Sequence, residues 1–206
     1  MAAREARILA DQLAGHYKTL RQISSKVDGL YGGRVLAKRD VDVFYAGVFL
    51  DAVTHFERFL EQLFVGLIMD SIRHARAGVS AKMSVKSYSV CHEILAGDRP
   101  YVDWLPYDYT VKRANKFLHE GHPFSDLDAR SIKRMQEVCA VRNVLAHRSR
   151  FAQRKFENSV LNGLALRAYE RTAPGYLRMP LRSAPRQTFF DAYIIDLSHV
   201  AHRLTS

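Results

Sequence analysis

Cysteine is scarce in this chain: Cys91 and Cys139 are the only two in 206 residues. Neither stands in a CxxC pair, which excludes a disulfide framework and argues against a structural zinc site. So few thiols suit a reducing compartment, and the expected location is the cytoplasm. No stretch approaches the ~20 consecutive apolar residues of a membrane span. The opening Met-Ala-Ala-Arg-Glu-Ala-Arg leads into an amphipathic helix and does not read as a signal peptide. Convincing β-hairpin signals, internal repeats and low-complexity tracts are also missing. Acids are in short supply, 21 against 31 lysines and arginines, a formal net charge of +10. Such an excess points to a polyanionic partner: RNA, DNA or an anionic membrane surface. The charge is uneven. Between Arg148 and Arg186 nine basic residues face only Glu157 and Glu170, so this stretch carries 9 − 2 = +7.

What is present is apolar residues at helical spacing. Their 48% share is enough for a substantial core, and the length fits one domain. Residues 2–28 read as a helix through Ile8, Leu9, Leu13, Tyr17, Leu20 and Ile23, stopped by Gly29, Gly32 and Gly33. Residues 1–35 thus form an N-terminal helix and turn. Residues 40–77 give the strongest pattern, with Phe49, Val53, Phe56, Leu60, Leu63 and Leu67 alternating four and three apart. Asp51, His55, Arg58 and Gln62 form its wet face. Residues 78–107 are a long irregular loop, with room for a short helix from Tyr88 to Leu95. Its aromatics, Tyr101, Trp104, Tyr107 and Tyr109 (the last just beyond it), read first as anchors onto the bundle and second as platforms for bases.

A short helix is expected from Thr110 to His119. Ser125-Asp-Leu-Asp128 has the form of a capping box opening a helix from about 126 to 147. Another is expected over 153–171, with Leu161, Leu164 and Tyr169 apolar, ended by Ala173-Pro174-Gly175. A basic linker holding Arg178, Arg182 and Arg186 follows. Thr188-Phe-Phe-Asp191 is a second capping box, starting a last helix through Tyr193, Ile194, Leu197, Val200 and Leu204. The expected fold is all-α, an up-and-down helical bundle with a long irregular loop.

The chemistry concentrates in Arg142-Asn143-Val144-Leu145-Ala146-His147. With Arg142 at zero, Ala146 falls near ~40°, Asn143 near ~100° and His147 near ~140° around the helix, one shared arc. Val138, Val141 and Leu145 fall on the other side and form a core stripe. Asn143 is a poor residue for a helix interior, so its place asks for a tertiary or functional reason. Arg148, Arg150 and Arg154 follow at once. Spacing alone also allows an ion-pairing arginine and a histidine favouring a helix C-terminus. Arg113 and His119 show similar spacing, but Lys112, Lys116 and Glu120 make that a solvated face. His119-Glu-Gly-His122 resembles a ligand spacing, yet its glycine and the following Pro123 suggest a helix end, and no metal or cofactor is expected.

Together these residues resemble the HEPN superfamily of all-helical nucleotide-binding and RNase domains, whose signature is Arg, a polar residue, a short gap and His. The surrounding Trp104-Leu-Pro-Tyr107, Arg113-Ala-Asn-Lys-Phe-Leu118, Pro123-Phe-Ser-Asp-Leu127 and Arg142 to Ser149 resemble its RiboL-PSP-HEPN branch. The resemblance covers residues 40–200, within a single HEPN-like helical domain of 1–206, and its specific part is 110–150. It implies a homodimer in which two motif helices form one composite cleft. It implies metal-independent endoribonuclease cleavage of single-stranded RNA, as a toxin of a toxin-antitoxin pair or an antiphage effector, with an antitoxin or regulatory partner and no membrane. Arg142, Asn143 and His147 take the catalytic positions, and Arg148, Arg150 and Arg154 would guide the RNA backbone. A non-catalytic HEPN-type module that binds RNA or nucleotide, or simply dimerises, is the alternative. A basic helical protein docking on DNA or an anionic membrane is the more distant one.

Overall fold

A computed structural model describes residues 4–147, 149–184 and 187–206. The chain folds as an all-α helical bundle. Its helices are α1 (Ala6–Gly32), α2 (Lys38–Ile68), α3 (Tyr88–Ala96), α4 (Tyr107–Phe117), α5 (Ala129–Ala146), α6 (Arg150–Phe156), α7 (Ala173–Leu177) and α8 (Phe189–Arg203). The sheet content among the described residues is one parallel pair, β1 (Arg4–Glu5) and β2 (Ile72–Arg73), in the register Arg4 to Ile72. No helix among the described residues is long and apolar enough to cross a membrane.

The α2 seam is buried along its whole length, from Phe49 to Leu67. The helix stops at Ile68, well short of the expected 77. Asp70 adopts a left-handed conformation (φ 52°), and the Ser71 N–H donates back to the Gly66 carbonyl at 3.0 Å. This closes the helix end as a left-handed cap does, without the glycine that usually signals one. Gly66 serves the turn differently: a Cβ there would lie 2.5 Å from the Ile72 side chain, so the returning chain needs the missing methyl.

The residues group into two compact units. The first comprises 55–135, 198–206 and the described part of 1–14. Phe64 sits at its centre, with ring centroids 5.4 Å from Trp104 and 5.1 Å from Phe124. The Tyr107 hydroxyl donates to the Phe124 carbonyl (2.8 Å) and the Thr110 hydroxyl to the Trp104 carbonyl (2.7 Å). So two of the expected anchors, Trp104 and Tyr107, are buried, while Tyr101 and Tyr109 are exposed. The expected Ser125 capping box is not formed. Ser125 instead donates to the Glu120 carbonyl, and Asp128 caps α5 by accepting from the Ser131 N–H at 2.7 Å. That bond, then one from Arg203, holds the Asp128 carboxyl down at about 2.

The second unit comprises 15–54 and 136–197. Tyr17, Tyr45, Phe49, Phe156, Phe190 and Tyr193 fill its core. The Thr188 capping box forms as expected: the Thr188 N–H donates to the Asp191 carboxylate (2.9 Å) and the Asp191 N–H to the Thr188 hydroxyl (3.2 Å). Arg21 adds a 2.8 Å ion pair to Asp191.

The helix expected over 153–171 is corrected. α6 starts at Arg150 and widens into a π-turn over Glu157–Leu161, after which Gly163 (φ 78°) turns the chain away. Leu164 and Tyr169 are consequently exposed, not core. Ala173-Pro174-Gly175, expected to end a helix, opens α7, because Thr172 caps Gly175 and a first-turn proline lacks only an N–H that has no helical partner there.

Candidate functional site

α5 is apolar behind and polar in front, as its periodicity requires. Val138 and Val141 are fully buried. Leu145, expected in the same stripe, is half-exposed. With Val43, Ala46, Val144 and Pro174 it lines an open groove of about 570 Å³.

On the front face Arg142 and Asn143 are half-buried, and Ala146 and His147 are exposed. The Arg142 guanidinium donates through Nη1 to the Asn143 Oδ1 at 3.1 Å. The Asn143 amide donates in turn through Nδ2 to the Cys139 Sγ, one turn earlier, at 3.5 Å. The amide orientation is therefore specified from both sides, oxygen toward the cation and nitrogen toward the sulfur. This gives the polar residue within α5 a concrete task. Because Asn143 is neutral, this contact steadies the guanidinium without cancelling its charge. Cys139, 4% exposed, had no signal in the sequence beyond lying four residues before Asn143.

His147 lies one residue past the end of α5, and its N–H still donates to the Asn143 carbonyl at 2.8 Å. Helical geometry thus carries through to its backbone nitrogen. His147 is exposed at the C-terminal end of α5. Arg148 lies outside the described residues. Ser149 caps α6, its hydroxyl accepting from the Ala152 N–H at 3.1 Å. Arg150 and Arg154 are exposed, and Phe151 between them is 77% exposed. The structure thus joins Arg142 and Asn143 by a hydrogen bond, with His147 exposed just past the helix end and Arg150 and Arg154 exposed on the next helix.

Other sequence features resolve differently. Arg178, part of the expected basic linker, is turned inward. It pairs with Asp42 (3.3 Å), and its guanidinium carbon lies 4.5 Å from the Tyr31 ring centroid. Arg113 stacks on Trp104 at 5.1 Å and donates to the Asp103 carbonyl; burial lowers its pKa. Lys112, Lys116, His119 and Glu120 are exposed, as a solvated face requires, while Arg113 itself is half-buried against Trp104. In the His119–His122 stretch, His119 is exposed. His122 meets Asp126 at Nδ1 (2.7 Å) and Glu120 at Nε2 (2.9 Å), so both its ring nitrogens face carboxylates.

Comparison of the chain with family models, curated proteins and solved structures gave no match.

Proposed function

We propose that this protein is a metal-independent endoribonuclease of the HEPN type, cleaving single-stranded RNA through the RNA's own 2′-hydroxyl. The observation that supports it is the hydrogen-bonded Arg142–Asn143 pair near the end of α5, with His147 exposed just past the helix and Arg150 and Arg154 exposed on α6. RNA carries its nucleophile, so the protein has three tasks: move two protons, stabilise the charged phosphorane and hold the backbone.

An imidazole can both take and give a proton, so His147 suits both transfers. In a homodimer with a composite cleft, one His147 takes the 2′-hydroxyl proton as O2′ attacks phosphorus. The protonated His147 of the second copy gives its proton to O5′ as the P–O5′ bond breaks. The products are a 2′,3′-cyclic phosphate and a 5′-hydroxyl. Arg142, permanently charged and forked, grips the non-bridging oxygens as charge accumulates on them. Asn143 keeps the fork aimed. Arg150 and Arg154 hold flanking phosphates, a role proposed for Arg148 as well. The biological reading is a cytoplasmic toxin or antiphage effector restrained by an antitoxin or regulatory protein.

The test is cleavage of labelled single-stranded RNA in EDTA by the parent protein, Arg142→Ala and His147→Ala. The parent is expected to cut, and each variant to lose at least about a hundredfold in rate. Undiminished cutting by both variants removes the segment from the mechanism, and an absolute metal requirement removes the mechanism itself.

The second reading is a non-catalytic RNA- or nucleotide-binding module, or a dimerisation module. It is favoured by the Arg142–Asn143 hydrogen bond, which can present a phosphate grip without any imidazole. It is identified by variants that lose RNA affinity while the parent never yields product.

A further inference from the structure

Of the seven large apolar side chains exposed in the first unit (Ile8, Met83, Tyr88, Val90, Ile94, Tyr101 and Tyr109), six lie between residues 83 and 109. α3 itself buries Cys91 and Leu95, and Tyr88, Ser89, Val90, Glu93 and Ile94 are exposed. Beside it opens a cleft of about 480 Å³, between α3 and the turn at residues 97–100.

The walls of this cleft are chemically distinct. One is aromatic: the Tyr88 and His92 rings are stacked, with centroids 6.2 Å apart and planes inclined by 29°. Tyr88 is 54% exposed, yet its hydroxyl donates to Glu61 at 2.6 Å, so the ring is tethered while a face stays accessible. The floor is small, at Ala96 and Gly97. Gly97 turns the chain in a left-handed conformation (φ 59°), and nothing lies within 4 Å of where its Cβ would be. The far wall carries Arg99, held by Asp103 at 2.6 Å and set 5.8 Å from the Tyr109 ring centroid. Glu93 adds an exposed carboxylate at the rim.

We propose that this cleft is a docking subsite for one nucleotide of single-stranded RNA, its base stacked on the Tyr88–His92 wall and its phosphate at Arg99. The proposal rests on RNA being the substrate class. A purely apolar partner helix would use Val90 and Ile94 but has no use for a pre-oriented guanidinium. A nucleotide uses all three features: a π-face for the base, the guanidinium edge of Arg99 beyond the Nη1 that Asp103 engages for the phosphate, and an acceptor, Glu93, for the base's amino or imino edge. The chain's overall charge of +10 draws such a strand to the protein as a whole, while at the cleft Arg99 is balanced by Asp103. Tyr101, 61% exposed next to Pro100, stands where a neighbouring base could stack.

The experiment uses the full chain carrying His147→Ala, so that RNA is bound without turnover. The probe is a fluorescein-labelled single-stranded 12-mer, followed by anisotropy. Adding Tyr88→Ala is expected to weaken binding by about fivefold or more, the usual loss of one base–aromatic stack. Tyr88→Phe keeps the ring and stays within about twofold of the His147→Ala parent. An oligonucleotide with abasic spacers makes Tyr88→Ala and its parent bind alike. Arg99→Ala lowers the salt dependence by about one phosphate contact. Circular dichroism establishes that the variants are folded. Equal binding by folded Tyr88→Ala and its parent overturns this proposal and leaves the α5 reading standing. No RNA binding by the His147→Ala parent overturns both.

Discussion

Replacing Asn143 by aspartate isolates the electrostatic role assigned to Arg142. The two side chains have the same shape, and the Arg142 Nη1 to Oδ1 contact of 3.1 Å can persist. What changes is the acceptor, which becomes an anion beside the cation, and the amide donor, whose weak bond to the Cys139 sulfur gives way to a carboxylate oxygen able to accept from the thiol. Two effects follow with opposite signs for folding and for catalysis. For folding, a half-exposed ion pair adds at most about 1 kcal/mol. In a chain of this length that raises Tm by no more than roughly 2–4 °C. For catalysis, the new charge faces the phosphate that Arg142 is to hold. At a separation of about 6 Å and an effective dielectric of about 40, the repulsion is roughly 1.4 kcal/mol, a factor of about ten. Neutralising the arginine removes part of its transition-state stabilisation as well, for which single-donor losses run to about a hundredfold. The expected result is an intact or slightly stabilised protein whose kcat/KM on single-stranded RNA falls by about 10- to 100-fold. Higher salt narrows the gap between variant and parent, because screening weakens the added repulsion. Initial rates at two salt concentrations, with melting curves for both proteins, provide the check. Parental cleavage by Asn143→Asp refutes the reasoning, since Arg142 would then not act through its charge. A collapse in Tm refutes it from the other side, by making Asn143 a packing residue.

Three further outcomes concern the scaffold. Asp191→Ala removes the α8 capping box and the Arg21 contact; the cap is worth about 1 kcal/mol and the part-exposed ion pair less, so Tm is expected to drop by about 3–8 °C in a thermal melt. His74 is buried, its Nδ1 accepting from the Arg76 N–H while its Nε2 faces the Leu204 carbonyl, and only the neutral ring with its proton on Nε2 satisfies both. Burial lowers its pKa, so as the pH falls below ~6.5 the unfolded chain takes up a proton that the folded chain refuses; stability is lost toward acid, and His74→Gln flattens the dependence of Tm between pH 7.5 and about 5. Gly66→Ala drives a methyl into Ile72 and is expected to cost about 1–3 kcal/mol in denaturant melts, with most of it recovered in the Gly66→Ala, Ile72→Ala double variant.

The residues that misled the sequence reading share a cause. Periodicity found the α2 seam, the buried back of α5 and the Thr188 cap because each depends on contacts within one helix or its first turn. It missed the end of α2, because Asp70 takes a left-handed cap without a glycine or proline to announce it. It carried the 153–171 helix too far, because the π-turn over Glu157–Leu161 keeps an apolar spacing while changing the pitch. Charge counting could not see that Arg178 points inward, since its partner Asp42 lies 136 residues away in sequence. At the candidate site, the helical spacing put Arg142 and Asn143 on one side of α5, where the structure shows them hydrogen-bonded. The bond from Asn143 to Cys139 was not legible, because a buried cysteine reads from sequence only as a small apolar residue.

The most direct test of the central claim is the chemistry at the cut. Two oligonucleotides of identical sequence, one all RNA and one with 2′-deoxyribose at every position, are incubated with the protein in EDTA, and the product ends are analysed. The account predicts that only the RNA is cut, leaving 2′,3′-cyclic phosphate and 5′-hydroxyl ends, and that His147→Ala abolishes both. Cleavage of the deoxy strand, or products ending in a 5′-phosphate, would contradict it.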